Sequence, residues 1–220
     1  MVNSEAKTPR ERYRAQVRTE VKERAWEQIA EAGASALSLN AIAKRMGMSG
    51  PALYRYFAGR DELITELVRD AYRSLADTFH AAAGTGADLT ALARALREWA
   101  LADPQRYFLV YGTPVPGYQA PADTTAIAAE IMAILLDACA ALPPSGPPTP
   151  FAVHLETHRD WAAGHPAPPE VLDRALTVWT RLHGVLSLEL AGHFTGMGLD
   201  PALLYDAEAA GLAGRPDAAG

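Results

Sequence analysis

Asn40, Arg45, Tyr54, Arg55 and Arg60 fall in one short stretch, SLNAIAKRMGMSGPALYRYFAGRDE, at residues 38–62. These side chains suit one kind of chemistry. An arginine fork matches the O6 and N7 acceptors of guanine or the oxygens of a phosphate, and an asparagine amide matches adenine. Tyrosine hydroxyls reach phosphates. Pro51 and Ala52 offer apolar contact to a thymine methyl. Bond-breaking chemistry has no such cluster. The chain contains no GxSxG, P-loop, HExxH or Glu-x-x-His pair, so no catalytic residue is assigned. His154 and His158, four apart, have a spacing that can bind zinc or serve a pocket or surface, and no metal site is assigned. Asp123, Glu130 and Asp137 recur every seven residues and form a solvated ridge or a negative wall for a cationic ligand.

The elements that position the first cluster follow from local rules. Ser38 stands where an N-cap belongs. Leu39, Ile42, Ala43 and Met46 then recur at helical spacing. Gly47 stands at the C′ position, where a positive φ is needed. Ser49 is expected to cap a second helix with Gly50 and Pro51 in its first turn. Leu53 and Phe57 face inward. Asn40, Lys44, Arg45, Gly50, Pro51, Ala52, Tyr54, Arg55 and Tyr56 are left facing outward. Two helices of about two turns joined at a glycine form a helix-turn-helix, whose second helix enters the major groove.

The run IAKRMGMSGPALYRYFAGRDEL resembles the DNA-binding signature of the TetR/AcrR family of transcriptional regulators. Ile42-Ala43, Gly47, Leu53-Tyr54, Phe57, Arg60 and Asp61-Glu62 match that pattern in order and spacing. Arg60 stands where the family usually has Lys, which keeps the charge. The segment WTRLHGVLSLELAGHF at 179–194 is similar to a C-terminal subtype of the family marked by Trp and a His-Gly pair. The resemblance implies a homodimer that binds a near-palindromic double-stranded DNA operator and a small molecule. Ser38, Asn40, Arg45, Ser49, Gly50, Pro51, Ala52, Tyr54, Arg55, Tyr56 and Arg60 are the expected DNA-facing residues.

Net charge is −6, which alone argues against nucleic acid. The distribution reverses that. Residues 1–60 hold 11 Lys and Arg against 6 Asp and Glu, a net of +5, whereas residues 61–220 hold 9 against 20, a net of −11. A basic third on an acidic body is the footprint of one DNA-facing end. Cys139 is the one cysteine and excludes an internal disulfide. Its apolar helical surroundings read as core. A single cysteine, no apolar leader in MVNSEAKTPRERYR and no run long enough to span a membrane predict a cytoplasmic protein.

The rest reads as helix. Thr8-Pro9-Arg10-Glu11 opens a first helix to about Ala32, with Val17, Val21, Ala25, Ile29 and Ala32 inward and Arg12, Arg14, Arg18, Lys22 and Arg24 elsewhere, on a solvated basic face or near phosphates. A long helix is predicted from about Arg60 to Ala83, then helices at 89–102, 104–111, 122–142, 151–163, 170–194 and 201–212. Segment 171–194 is apolar on more than one face, so it lies at the centre of one monomer or pairs in a dimer. Val178, Leu182, Val185, Leu186, Leu190 and Phe194 are the expected dimer contacts. Trp99, Tyr107, Phe108, Tyr111, His154, His158, Trp161 and Trp179 form a shortlist for a ligand pocket.

The expected fold is all-α. A three-helix helix-turn-helix domain spans 9–60 (helix-turn-helix 38–57). A long helix joins it to a helical ligand-binding and dimerisation domain at 61–212, with a disordered tail at 213–220. The expected function is a DNA-binding repressor released by an apolar or aromatic effector, with no cofactor. The alternative is a helical small-molecule-binding protein or enzyme without a DNA role.

Overall fold

The computed structural model describes residues 8–144 and 146–214. Residue 145 of the proline-rich linker and residues 215–220 of the expected tail lie outside them. The described residues form ten α-helices and two 3-10 turns, with no strand among them. They divide into two compact units. Of the described residues, the first unit holds 8–70 and 107–121, and the second holds 71–106, 122–144 and 146–214.

In the first unit, α1 runs Pro9–Ala32 behind a full capping box, with the Thr8 hydroxyl accepting from Glu11 N–H and the Glu11 carboxylate taking Thr8 N–H at 2.7 Å. Val17, Val21, Ala25 and Ile29 are buried at helical spacing. A 3-10 turn at Ala34–Ala36 leads to α2, Leu39–Arg45. Ser38 caps α2 through Ala41 N–H. Gly47, at φ 66°, ends it: Met48 N–H reaches Ala43 O at 2.9 Å and Gly47 N–H reaches Lys44 O at 3.2 Å.

α3 is shorter than the predicted two turns, covering only Gly50–Leu53. Beyond it the bonding is mixed: Arg55 N–H to Ala52 O and Tyr56 N–H to Leu53 O are i→i+3 bonds, and Phe57 N–H shares Leu53 O as an i→i+4 bond. Ser49 occupies the N-cap position, but its side chain makes no capping bond. Leu53 and Phe57 are fully buried.

α4 runs Arg60–Gly84, a length of about 37 Å at 1.5 Å per residue, and the division between the units falls within it, after Asp70. The second unit contains α5 (Leu89–Ala102), α7 (Ala122–Ala140), α8 (Pro150–Leu155), α9 (Pro169–Leu190) and α10 (Pro201–Leu212). α6 spans Pro104–Tyr111, and its last residues belong to the first unit. α9 is central in the second unit and packs on α5, α7, α8 and α10.

Two predicted helices change here. The single helix expected at 151–163 is α8 followed by a 3-10 turn at Asp160–Ala162. The His158 ring Nδ1 lies 2.9 Å from His154 O, the acceptor that a continuing helix would offer to the backbone N–H of residue 158. The helix expected to reach residue 194 ends at Leu190. Gly192, at φ 76°, lets His193 N–H reach Leu188 O at 3.0 Å and Gly192 N–H reach Glu189 O at 2.9 Å.

Candidate nucleic-acid interface and sensor cavity

The first unit displays most of the expected DNA-facing residues. Asn40, Arg45, Ser49, Pro51, Tyr54 and Arg55 are exposed, and Ser38, Gly50, Ala52, Tyr56 and Arg60 are half-buried. Asn40, at the start of α2, abuts α3. A Cβ on Gly50 would stand 3.2 Å from Asn40 Oδ1, a tight contact that a shift of the Asn40 amide by a few tenths of an ångström would relieve. Asn40, Pro51 and Tyr54 are exposed residues of two short helices, α2 and α3, that pack on each other.

Several basic side chains have internal partners. Arg45 pairs with Glu31 at 2.6 Å and lies 3.8 Å from Glu27. Its bond to Glu31 raises the guanidinium pKa and holds the Glu31 carboxyl below the ordinary range. Arg60 donates to Ala34 O at 3.0 Å and Ser35 O at 3.3 Å, which braces the turn before α2. Along α1, Arg14 donates to Arg55 O at 3.2 Å, Lys22 pairs with Asp70 at 2.5 Å, and Arg24 pairs with Glu27. The basic stripe of α1 is thus engaged within the unit to a large extent.

Gln28 has a role that sequence reading missed. It is buried, with Ser38 N–H donating to its Oε1 at 2.9 Å and its own Nε2 3.5 Å from Ser38 O. One amide therefore holds both backbone groups of the residue that caps α2. The signal was available: Gln28 is a polar residue at a core position, seven after Val21 and three after Ala25.

The aromatic shortlist is shared between the two units. Tyr107, Phe108 and Tyr111 belong to the first unit, where their ring centroids lie 5.4–5.7 Å from that of Tyr107. Trp99, His154, His158, Trp161 and Trp179 belong to the second. Trp99 is buried and donates through Nε1 to Ser74 Oγ at 3.1 Å. His154 and His158 are exposed and stack on each other at 3.9 Å. Trp161 Nε1 is buried and makes no hydrogen bond among the described residues.

Trp179 alone of the shortlist lines a small apolar cavity of about 10 Å³ in the second unit, with Phe79, Leu89, Leu92, Leu135 and Leu182 among its other walls. That is far below the roughly 300–1,000 Å³ of typical small-molecule pockets, so a ligand would have to open the site by moving its walls. One turn along α9, the His183 ring lies 4.1 Å from Trp179, and burial pushes His183 down to about 4. Neutral imidazole thus lies beside an apolar wall.

Two carboxylates of the seven-residue ridge have cationic or imidazole neighbours. Glu130 accepts from Arg73 at 2.7 and 3.0 Å, which lowers its pKa, and lies 3.4 Å from His80. Asp137 lies 3.2 Å from His165. This weakens the case for a negative wall. Cys139 is fully buried, and desolvation pushes its thiol up to about 11, which suits a core residue. Among the described residues no group of three or more His, Cys, Asp or Glu could hold a metal ion, and no helix is long and apolar enough to cross a membrane.

The expected dimer residues divide by depth. Val178, Leu182 and Leu186 are buried in the second unit's own core, at 3% exposure or less. Val185 and Leu190 are half-buried. Phe194, also half-buried, lies beyond the end of α9. The exposed apolar side chains of α9 and α10 are Leu188, Leu203 and Leu204. They share faces with Gly184 and Ala191 on one side and Ala207 and Gly211 on the other.

Comparisons with known proteins agree with this architecture. Residues 23–67 match the profile described as bacterial regulatory proteins, tetR family, and residues 89–212 match that described as tetracyclin repressor-like, C-terminal domain. The HTH-type transcriptional regulators Rv1816 of Mycobacterium tuberculosis and Mb1846 of Mycobacterium bovis are each 37% identical to this chain over 211 residues. That alignment covers 89% of this chain and 90% of theirs. The crystal structure of SCO4313 is 71% identical, covers 94% of this chain and 100% of its own, and superposes with a TM-score of 0.88. A structure of unknown function from Rhodococcus sp. RHA1, 20% identical with a TM-score of 0.65 and covering 96% of each chain, shares the fold.

Proposed function

The chain belongs to the TetR family of helix-turn-helix transcriptional regulators, and on that premise we propose that it is a cytoplasmic, homodimeric repressor released from its operator by a small, mainly apolar effector. The observation that carries the DNA-reading surface is the joint exposure of Asn40 on α2, Pro51 in α3, and Tyr54 and Arg55 at the end of α3, on two short helices that pack together. Asn40 and Arg55 read base edges, and Pro51 and Ala52 contact a thymine methyl. Tyr54 and Tyr56 bind phosphates and set orientation. Ser38 and Ser49 sit at helix starts, where backbone N–H groups favour phosphate. Arg45 must loosen its ion pair with Glu31 to reach DNA. Arg60 keeps its two carbonyl acceptors and offers phosphate only its remaining donors.

The dimer forms through α9 and α10. Leu188, Leu203 and Leu204 are the exposed apolar groups there, and small residues beside them allow close helix approach. Two-fold symmetry then requires a near-palindromic operator with half-sites about 34–36 Å apart, or a modest stretch of that. Leu203→Glu should yield monomers with unchanged helix content and poor binding to the full operator; an intact dimer by light scattering would place the interface elsewhere. Support for an apolar effector is the all-apolar lining of the cavity beside Trp179.

The decisive experiment is selection of bound duplexes from a random library, with gel shifts on the region upstream of the protein's own gene. A palindromic consensus, with affinity falling about 0.9 log units per log unit of salt for each phosphate neutralised, is the expected outcome. Failure to enrich any sequence would favour a helical binding protein without a DNA role. A reporter under the selected operator should rise when the protein is deleted. A fall would make it an activator.

A further inference from the structure

The recognition helix is too short to hold its own geometry. One α turn followed by mixed i→i+3 and i→i+4 bonds leaves the carbonyls of Arg55 and Tyr56 at a frayed end, next to the link into α4. Both carbonyls are taken by guanidinium groups of α1. Arg14 donates to Arg55 O at 3.2 Å, and Arg18, one turn later, donates to Tyr56 O.

Arg18 does more than cap. It packs over the Phe57 ring at 4.1 Å, and its other contacts are carboxylates of α4, Glu62 at 3.4 Å and Glu66 at 3.5 Å. Glu62 in turn accepts the Ala58 N–H at 2.5 Å. The pair Arg18–Glu62 therefore grips the link between the two helices at a carbonyl and at an N–H two residues apart. The planar fork of arginine presents five donors in fixed directions from three nitrogens, whereas an ammonium presents three from a single atom.

We infer that Arg18 is a positioning residue for base readout: it fixes the pose of the recognition helix relative to the first turns of α4 and contacts no DNA itself. Its side chain is only 24% exposed, and three acceptors already occupy it. The inference rests on the DNA-binding reading above and deepens it. A phosphate contact adds affinity equally for all sequences and adds to the salt slope. A positioning residue changes the ratio of specific to non-specific affinity and leaves the salt slope alone.

The test uses the full-length protein, the duplex selected by the wild type and a scrambled duplex of equal length. Arg18→Met is compared with Lys22→Met, which removes the same charge one turn along the same face of α1, where the partner is Asp70 rather than the link. Arg18→Met should lower the specific-to-non-specific ratio by about tenfold or more, the scale of one lost base contact, with the salt slope unchanged. Lys22→Met should leave the ratio unchanged. An unchanged ratio in Arg18→Met would overturn the inference, as would an equal loss on both duplexes with a slope lower by about 0.9. An equal ratio loss in both variants would assign the effect to charge or stability and overturn it too. If Arg18→Met does not fold, Arg18→Lys replaces it, with a smaller fall expected and an unchanged ratio again decisive against. If the wild type selects no sequence, the failure is that of the DNA-binding reading.

Discussion

In the first unit the side chains that matter are polar, exposed and few, and each can be given a partner. Arg14, Arg18, Lys22, Arg45 and Arg60 bind within the unit, whereas Asn40, Tyr54 and Arg55 face solvent. In the second unit the shortlisted aromatic residues do a different kind of work. Trp99 is tied to Ser74, Trp179 lies against His183, and the small cavity that Trp179 borders has no polar wall. A DNA reader must present a fixed donor pattern to a fixed ligand geometry, so its chemistry shows in residue types. An apolar cavity gets its selectivity from shape, which many combinations of Leu, Phe and Trp can produce.

The largest effect should separate the two faces of α9. Leu186 is fully buried and Leu188 is 45% exposed. Leu186→Ala should lower stability by about 2–5 kcal/mol in urea titrations. Leu188→Glu should shift the monomer–dimer equilibrium and leave the fold of the subunit intact by circular dichroism. Equal loss of folding in both variants would erase the distinction between core and interface.

The next effect is confined to the second unit and to acid. His183 titrates near 4 in the folded chain, below its ordinary 6.5. Between those values the unfolded chain binds a proton that the folded chain refuses. Stability should therefore fall as pH drops from about 6.5 to about 4 and then level off, by about 3 kcal/mol in all. His183→Leu should flatten that window when midpoints are compared at pH 7 and 4.5. A variant as acid-sensitive as the wild type would sink this assignment.

In the first unit the effects should appear in DNA and not in folding. Asn40→Ala and Arg55→Ala should each cost about 1–3 kcal/mol of discrimination, at separate positions of the half-site, by competition with single-base operator variants. Unchanged preference in both would mean that other exposed groups read the bases. The smallest effect is Thr8→Ala, which breaks the capping box of α1 and should cost about 1 kcal/mol of stability while leaving the operator preference unaltered.

Helix existence was legible in the sequence because caps and periodicity are local. The boundaries of α1, α2 and α5 follow from Thr8, Ser38 and Asp88 at one end and Gly33, Gly47 and the Asp103-Pro104 step at the other. The mistaken ends arose where a side chain or a left-handed residue intervened. His158 competes for the His154 carbonyl, and Gly192 closes α9 before Phe194. The apolar residues of 171–194 could be listed, but their assignment to core or surface depends on which helices surround α9.

By itself, the sequence determined an all-helical chain, a basic helix-turn-helix region on an acidic body, and which residue types could read DNA. Those properties arise from neighbours within a few residues and from summed charge. Only the tertiary structure decided which arginines have internal partners, that Gln28 holds Ser38, that Val178, Leu182 and Leu186 are core, and that the aromatic shortlist splits between two units. Each of these depends on contacts between residues distant along the chain, such as Arg18 with Glu62 and Glu66. Spacing can place a side chain on a helix face, but the element packed against that face decides what it touches.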